Sequence, residues 1–409
     1  MERQRIFISG VAGFLGSHLA DAFLADGHDV IGVDNMIGGY LDNVPSNVEF
    51  YQIDCNDLGR LKQHMRDVDI VYHCAATAYE GLSVFSPHMV TQNIVTASTG
   101  MISAAVANKV RRFVMCSSMA RYGTNKVPFT EDMIPKPQDP YGIGKYTSEL
   151  ILQNMAETHG MEWVIAVPHN IVGPRQKYDD PYRNVASIFI NLMLQDRQPY
   201  IYGDGNQMRC FSFISDDVAP LKQMAYDPAC VSQVINIGPD DEMVTINVLA
   251  ETIARLLKFP LKTTYTKGRP QEVYLANCSA DKARRLLDYK PKVSLEDGLR
   301  QMIDWIRSRG ARPFKYHLDL EIARERGVGK RLVFEAEARG QHEAPVERLT
   351  QHEVLGPDVL LVVRQEVAHP EMGAERGILI VRRDLEEAGR SAVRTRVSRV
   401  QVRRPWRKD

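Results

Sequence analysis

In the segment DPYGIGKYTSE, Tyr141 and Lys145 stand four residues apart in a helix-period stretch, so a phenol and an ammonium share one helix face. A positive charge beside a phenol favours its anion, and a tyrosine so activated can take a proton from an alcohol. Upstream, SSMARYG (117–123) follows an apolar run and offers two hydroxyls, Ser117 and Ser118. Alone, such serines often do no more than close a strand with a local hydrogen bond. Nearer the start, SGVAGFLG sets Gly10, Gly13 and Gly16 in a G-x-x-G-x-x-G array between a strand pattern and a helix pattern. The first glycine allows the tight turn, the second lets backbone approach a pyrophosphate at the helix N-terminus, and the third permits close helix-to-strand packing. Asp34 ends the next strand, where a carboxylate accepts from an adenosine ribose diol and repels a 2′-phosphate; dinucleotide binding with NAD rather than NADP follows. The positive nicotinamide would then join Lys145 in lowering the Tyr141 pKa toward neutrality. Asp54, ending the third strand, is either a second adenine-side acceptor or a turn former.

These residues need a frame that brings strand ends and helix starts together. Apolar, β-branched or aromatic runs at 5–9, 29–34, 48–54, 69–75, 111–118 and 162–169 alternate with helix-period segments, including two long ones at about 88–108 and 141–159. Strands that are apolar throughout, separated by helices, predict a parallel sheet covered on both faces: a doubly wound (Rossmann) α/β domain over residues 1–173. Past Gly173 the rhythm loosens through GPRQKYDDPYR into mixed α/β segments, read as a smaller substrate-binding lobe over 174–322. From 323 to 409 the composition shifts, with fourteen Arg against one Lys after residue 330. DVLLVVRQEV and GILIVRRDL there read as strands. The extension is open to three readings: an appended module, an arm for nucleic acid or an acidic partner, or a stretch without function.

The 409 residues carry 51 basic and 51 acidic side chains, so no net field draws the chain to nucleic acid or an anionic membrane, and anions must be caught locally. Six scattered cysteines without a C-x-x-C pair fit reduced thiols, and no metal site is expected. The first strand starts within a few residues of Met1, leaving no room for a signal peptide, and no apolar run has the length of a membrane span. A cytoplasmic protein is expected.

Taken together, Gly10, Gly13, Gly16, Asp34, CSSMARYG, the Tyr141–Lys145 pair, PHNIVGPRQ, YGDGNQMRCFSFISDD and GRPQEV resemble the extended short-chain dehydrogenase/reductase family, within it the nucleotide-sugar epimerases and dehydratases, and most nearly the UDP-hexose 4-epimerases. The resemblance covers residues 4–322. It implies catalysis by Ser118, Tyr141 and Lys145, with Ser118 bridging the sugar O4 and the phenol. It places Phe14, Leu15, Asn35, Asp54, Cys55, Ala75, Ala76, Asn93 and His169 against NAD beside the glycines, Asp34, Tyr141 and Lys145. For a UDP-sugar it implies Ser117 near the substrate, Asn170, Arg209 and Arg269 at the diphosphate, and Glu272 at the uridine ribose. Ala276 would face the hexose C2 substituent, where a small side chain could admit an N-acetyl group. A homodimer through the two long helices is also implied.

The family's 4,6-dehydratases place Asp-Glu after the catalytic hydroxyl, and its glucuronate decarboxylases keep the Glu; this chain has Met119 and Ala120. Epimerisation at C4 of a UDP-hexose is therefore expected. A dehydratase that works without that pair, or a non-catalytic NAD-binding regulator, is the alternative. Arg121 stands where an apolar residue is usual; facing the site, it would attract a uronic carboxylate. UDP-glucose, UDP-N-acetylglucosamine and UDP-glucuronate stay open as substrates.

Overall fold

The computed structural model describes residues 2–269, 271, 273–314, 359–369 and 373–382. The chain divides into two compact units, Met1–Glu337 and Ala338–Asp409.

The first unit is built on a seven-stranded sheet of β1 (Arg5–Ser9), β2 (Asp29–Asp34), β3 (Glu49–Gln52), β4 (Ile70–His73), β5 (Arg112–Cys116), β6 (Glu162–Pro168) and β7 (Gln233–Ile237). Its order is β7-β6-β5-β4-β1-β2-β3 and every pairing is parallel. Strand residues alternate between two cores, as a pleated strand requires. Phe7, Val71, Phe113, Met115, Ile165 and Val167 point to one face, and Ile6, Ile8, Ile70, Tyr72, Val114 and Val164 to the other.

Helix α1 (Phe14–Ala25) covers the second face through Leu19, Ala20 and Phe23. On the first lie α2, which runs through Pro87–Thr91, a π-helical turn at Gln92–Thr96 and Ala97–Ala107, and α3 (Pro140–His159). Asp139 caps α3 by accepting from the Gly142 N–H at 3.0 Å, Pro140 occupies the first turn where its missing N–H costs nothing, and Gly160 ends the helix in the left-handed region.

The segment expected to form the smaller lobe is divided. β7 and α5 (Ile214–Gln223) return to the large sheet, where Leu221 packs with Tyr72. α4 (Val185–Met193), α6 (Ile246–Leu257) and α7 (Leu295–Arg309) enclose a third core of Phe189, Ile190, Leu249, Ile253, Met302 and Ile306, beside short strand pairs such as Met208–Cys210 with Met243–Thr245. In the second unit, β8 (Val359–His369) and β9 (Gly373–Arg382) pair antiparallel, matching the two strands read in the extension. Among the described residues no helix is long and apolar enough to cross a membrane.

Asp217 ties the sheet to the lobe: Ser212 Oγ donates to its Oδ2 at 2.6 Å, and the Tyr289 hydroxyl stands 3.4 Å from Oδ1. Burial pushes this carboxyl up to about 8, against the lowering bond from Ser212. A folded-state pKa above the unfolded one means that the fold holds a proton the unfolded chain releases, so stability present below about pH 4 is lost as pH rises toward 8. Thermal unfolding should therefore show a midpoint that falls from about pH 5 to about pH 8, with a shallower fall in Asp217→Asn.

Candidate active site

A cavity of about 530 Å³ lies at the carboxyl ends of the sheet strands and reaches the lobe. The strand order reverses between β1 and β4, which is where an open α/β sheet leaves a crevice. Gly10 and Ala75 follow those two strands. Gly10 has φ +75°, and a Cβ there would sit 2.8 Å from the Ala75 nitrogen; one on Gly16 would sit 2.3 Å from the Gly10 oxygen. Only glycine lets the turn, the helix start and the neighbouring strand end converge this closely.

The cavity is lined by Gly10, Gly13, Phe14, Leu15, Gly16, Asp34, Asn35, Asp54, Cys55, Ala75, Ala76 and Asn93, twelve of the residues expected against the cofactor. α1 begins there with Gly13 at its N-cap, no side-chain cap and no acid in its first turn, so its N–H groups and dipole are open to an anion. Asp34 is nearly buried; its Oδ2 accepts from the Ala12 N–H at 3.1 Å and its Oδ1 from Met36 at 2.7 Å. Burial raises its pKa, and these backbone bonds and the Arg183 charge oppose the rise. Asn35 donates to Asp54 at 2.8 Å, holding that carboxylate at the same end. Asn93 comes from the π-helical turn of α2, a distortion that re-aims side chains at one point of a long helix. A bare helix N-terminus for the diphosphate and an acid for the ribose diol fit NAD.

Half-buried Ser118 and buried Tyr141 and Lys145 form a corner behind this wall rather than part of its lining. Ser118 Oγ caps the turn Met119–Arg121 by accepting from Ala120 N–H at 3.2 Å, and it lies near enough to Tyr141 to pull that phenol's pKa down. Lys145 Nζ donates to the Cys116 carbonyl at 2.8 Å. The Tyr141 pKa departs from expectation: burial pushes it up to about 12, with Ser118 and Arg183 as lowering influences and the Lys145 ammonium turned to the strand end instead. Burial lowers the Lys145 pKa in the same way. Met119 lies 3.6 Å from the Asn170 amide through its sulfur, and Ala120 packs with Val90, Ile94 and Tyr141, so neither position offers a proton-transfer group.

At the lobe end, Asn170, Arg209 and Arg269 line the cavity as expected. Asn170 takes a left-handed φ of 46° and donates to the Cys210 carbonyl at 2.9 Å, and Arg269 stacks on Tyr202 with 4.1 Å to the ring centroid. Four singled-out residues lie off the cavity lining. Ser117 turns away from the cavity and donates to Glu149, because successive strand residues face opposite sides. His169 is buried, its Nε2 2.9 Å from the Pro239 carbonyl oxygen, and it stays out of the lining. Ala276 is enclosed in the sheet core rather than facing the cavity. Arg121 also faces inward and forms a 2.9 Å ion pair with Glu149, so it offers nothing to a uronic carboxylate. Glu272 lies outside the described residues.

Sequence reasoning missed Arg183. It lines the cavity, lies over the Tyr79 ring at 4.5 Å, and influences both Asp34 and Tyr141. Its partner Asp180 is 3.6 Å away, and a Cβ on Gly38 would collide with its guanidinium. The loop DDPYRN has no periodicity that could have signalled this.

Comparison with known proteins agrees with the geometry. The model of the "NAD dependent epimerase/dehydratase family" matches residues 6–238. The UDP-glucose 4-epimerase of Mycolicibacterium smegmatis is 31% identical over 317 residues, covering 75% of this chain and 99% of that protein. The crystal structure of Thermotoga maritima UDP-glucose 4-epimerase with UDP-glucose superposes with a TM-score of 0.70 at 30% identity, over 75% of this chain and 99% of that one. UDP-glucuronic acid 4-epimerase from Bacillus cereus, solved with UDP-glucuronic acid and NAD, gives 0.70 at 28% identity, over 75% and 100%. With its sheet order, its glycine-lined crevice and more than half its length matched, the chain belongs to the NAD dependent epimerase/dehydratase family.

Proposed function

We propose that this protein interconverts the C4 epimers of a UDP-hexose, UDP-glucose and UDP-galactose in the first instance. The observation that carries the reading is the corner in which Ser118 lies near the Tyr141 phenol, one helical turn from Lys145, while Met119 and Ala120 replace any acid or base for elimination. Bound NAD supplies the two-electron acceptor and donor for C4. Tyr141 takes the O4 proton as C4 is oxidised and returns it after the 4-keto sugar has turned over, with Ser118 orienting O4. Asn170, Arg209 and Arg269 hold the diphosphate at the lobe, where guanidinium donors match phosphate oxygens. Strong anchoring of the nucleotide with weaker anchoring of the hexose is what lets the ring present either face. Arg121 turned inward favours a neutral hexose over a uronate.

Proton NMR of incubations with UDP-glucose, UDP-N-acetylglucosamine and UDP-glucuronate should show two interconverting hexoses and no deoxy-keto or decarboxylated sugar. Elimination products alone would establish a dehydratase instead. Tyr141→Phe should lower kcat about 10²- to 10⁴-fold, the usual range for losing a positioned acid–base group, with the fold intact by circular dichroism. Asp34→Asn should weaken NAD binding about ten- to a hundredfold in calorimetric titration, since hydrogen bonds to an ionised group contribute about 1.5–3 kcal/mol; undiminished binding would remove Asp34 from the ribose site. Ile143 and Leu150 stand half exposed on one side of α3, which supports pairing of that helix with a second copy. Light scattering should then give the mass of two chains, and of one after Ile143→Asp with Leu150→Asp.

A further inference from the structure

Tyr141, Lys145 and Glu149 follow one another at four-residue steps along α3, so they form one stripe on the face turned to the sheet. Glu149 is completely buried. One carboxylate oxygen accepts from Ser117 Oγ, the residue before Ser118, and the other pairs with Arg121 at 2.9 Å. Arg121 is itself enclosed, donating to the Tyr122 hydroxyl at 3.2 Å and lying over the Tyr122 and Tyr146 rings. Buried ion pairs cost much desolvation, and an apolar pair of similar volume usually stabilises a fold as well, so the charges call for a purpose beyond packing.

The surroundings of Lys145 supply one. The groups that bear on its ammonium are Cys116 from β5, then Cys74 just past β4, then Glu149 from its own helix, and Lys145 in turn bears on His73 at the end of β4. Burial drives His73 down to about 3, leaving it neutral, and Cys74 and Cys116 lie in sulfur contact at 3.7 Å. Glu149 is thus the carboxylate whose charge reaches Lys145, after the nearer influences of Cys116 and Cys74, while its own oxygens are held by Ser117 and Arg121. Burial opposes ionisation of Glu149, and Arg121 is the foremost influence in its favour, ahead of Ser117 and Lys145.

We propose that Arg121 and Glu149 are a buried positioning pair for the reaction: Arg121 keeps Glu149 ionised, and Glu149 clamps the Ser117–Ser118 strand end to α3 while countering the charge of Lys145. The pair touches neither cavity nor substrate. It acts through Ser118 and Lys145, and so rests on the epimerase reading for its effect on turnover. The sequence arrangement closes on itself, since the stretch that carries the hydroxyl also carries, three residues on, the cation that secures it.

The test uses the full chain with Arg121→Lys, Glu149→Gln and the double variant Arg121→Met with Glu149→Gln. Removing one partner alone strands a buried charge and can unfold the protein, whereas the neutral double variant avoids that penalty. Carbon-13 NMR of the lysine ε-carbons, with Lys145 assigned through Lys145→Met, reads the ammonium without any turnover. In the double variant Lys145 should lose its proton about one pH unit lower than in the intact protein, and the alkaline limb of the kcat profile should move down with it, so that kcat on that limb falls about tenfold with KM unchanged, one pKa unit being a tenfold change. Arg121→Lys should restore most of kcat. An unmoved Lys145 titration, or an unaltered kcat in a folded double variant, would overturn the proposal. If the intact protein turned over no UDP-hexose, the functional reading would fall while the lysine titration still decided whether the pair governs Lys145.

Discussion

Everything at this site depends on how closely the chain ends of β1 and β4 approach where the sheet order reverses. The Gly10 backbone lies so near Ala75 that a single added carbon would overlap it, and Gly16 is packed as tightly on the Gly10 carbonyl. That contact draws the start of α1 into the crevice, pointing uncapped N–H groups at the space a diphosphate needs. It also sets the registers from which Asp34 at one end and the β5–α3 corner at the other are measured, because the strands between are paired residue by residue. A larger side chain at Gly10 would displace a strand end rather than only fill a gap.

The reactive corner is governed by burial. Excluding water raises the Tyr141 pKa and lowers that of Lys145, so the chain by itself holds both groups closer to neutral than they would be in solution. Chemistry that needs a phenolate and an ammonium must therefore find charge inside the protein or bring it with the ligand. Arg183 is one source, reaching from the lobe toward Asp34 and Tyr141. Glu149, maintained by Arg121, is another from below. A group on the cavity wall and one behind it thus both bear on the proton affinities of the corner.

The sheet, its long helices, the glycine turn and Asp34 were legible in the sequence because each rests on short-range rules: period-two or period-3.6 burial, a turn that only glycine allows, an acid at a strand end. The Tyr141–Lys145 pair was legible for the same reason, and twelve of the cavity-lining residues followed from the family resemblance. What escaped was the direction of side chains beyond the last paired residue of β5. Ser117 and Arg121 both turn inward, one by strand alternation and the other after a single turn of tight helix at Met119–Arg121. Arg183 comes from an irregular loop, and Ala276 from a two-residue strand whose exposure is decided by distant packing. The return of β7 to the large sheet was hidden because a five-residue strand, QVINI, with two amides in it does not announce its partner.

The inward turn of Arg121 also bears on the reaction class. A carboxylate at position 120 would enter the small apolar space of Val90, Ile94 and Tyr141, next to the Arg121 cation already committed to Glu149. An unpaired acid in that space would be protonated or would compete with Glu149 for Arg121, loosening the strand end that carries Ser118. The methyl group of Ala120 and the thioether of Met119 avoid that conflict. The same packing that leaves the corner without an eliminating acid therefore keeps the hydroxyl, phenol and ammonium in one arrangement, as the proposed epimerisation requires.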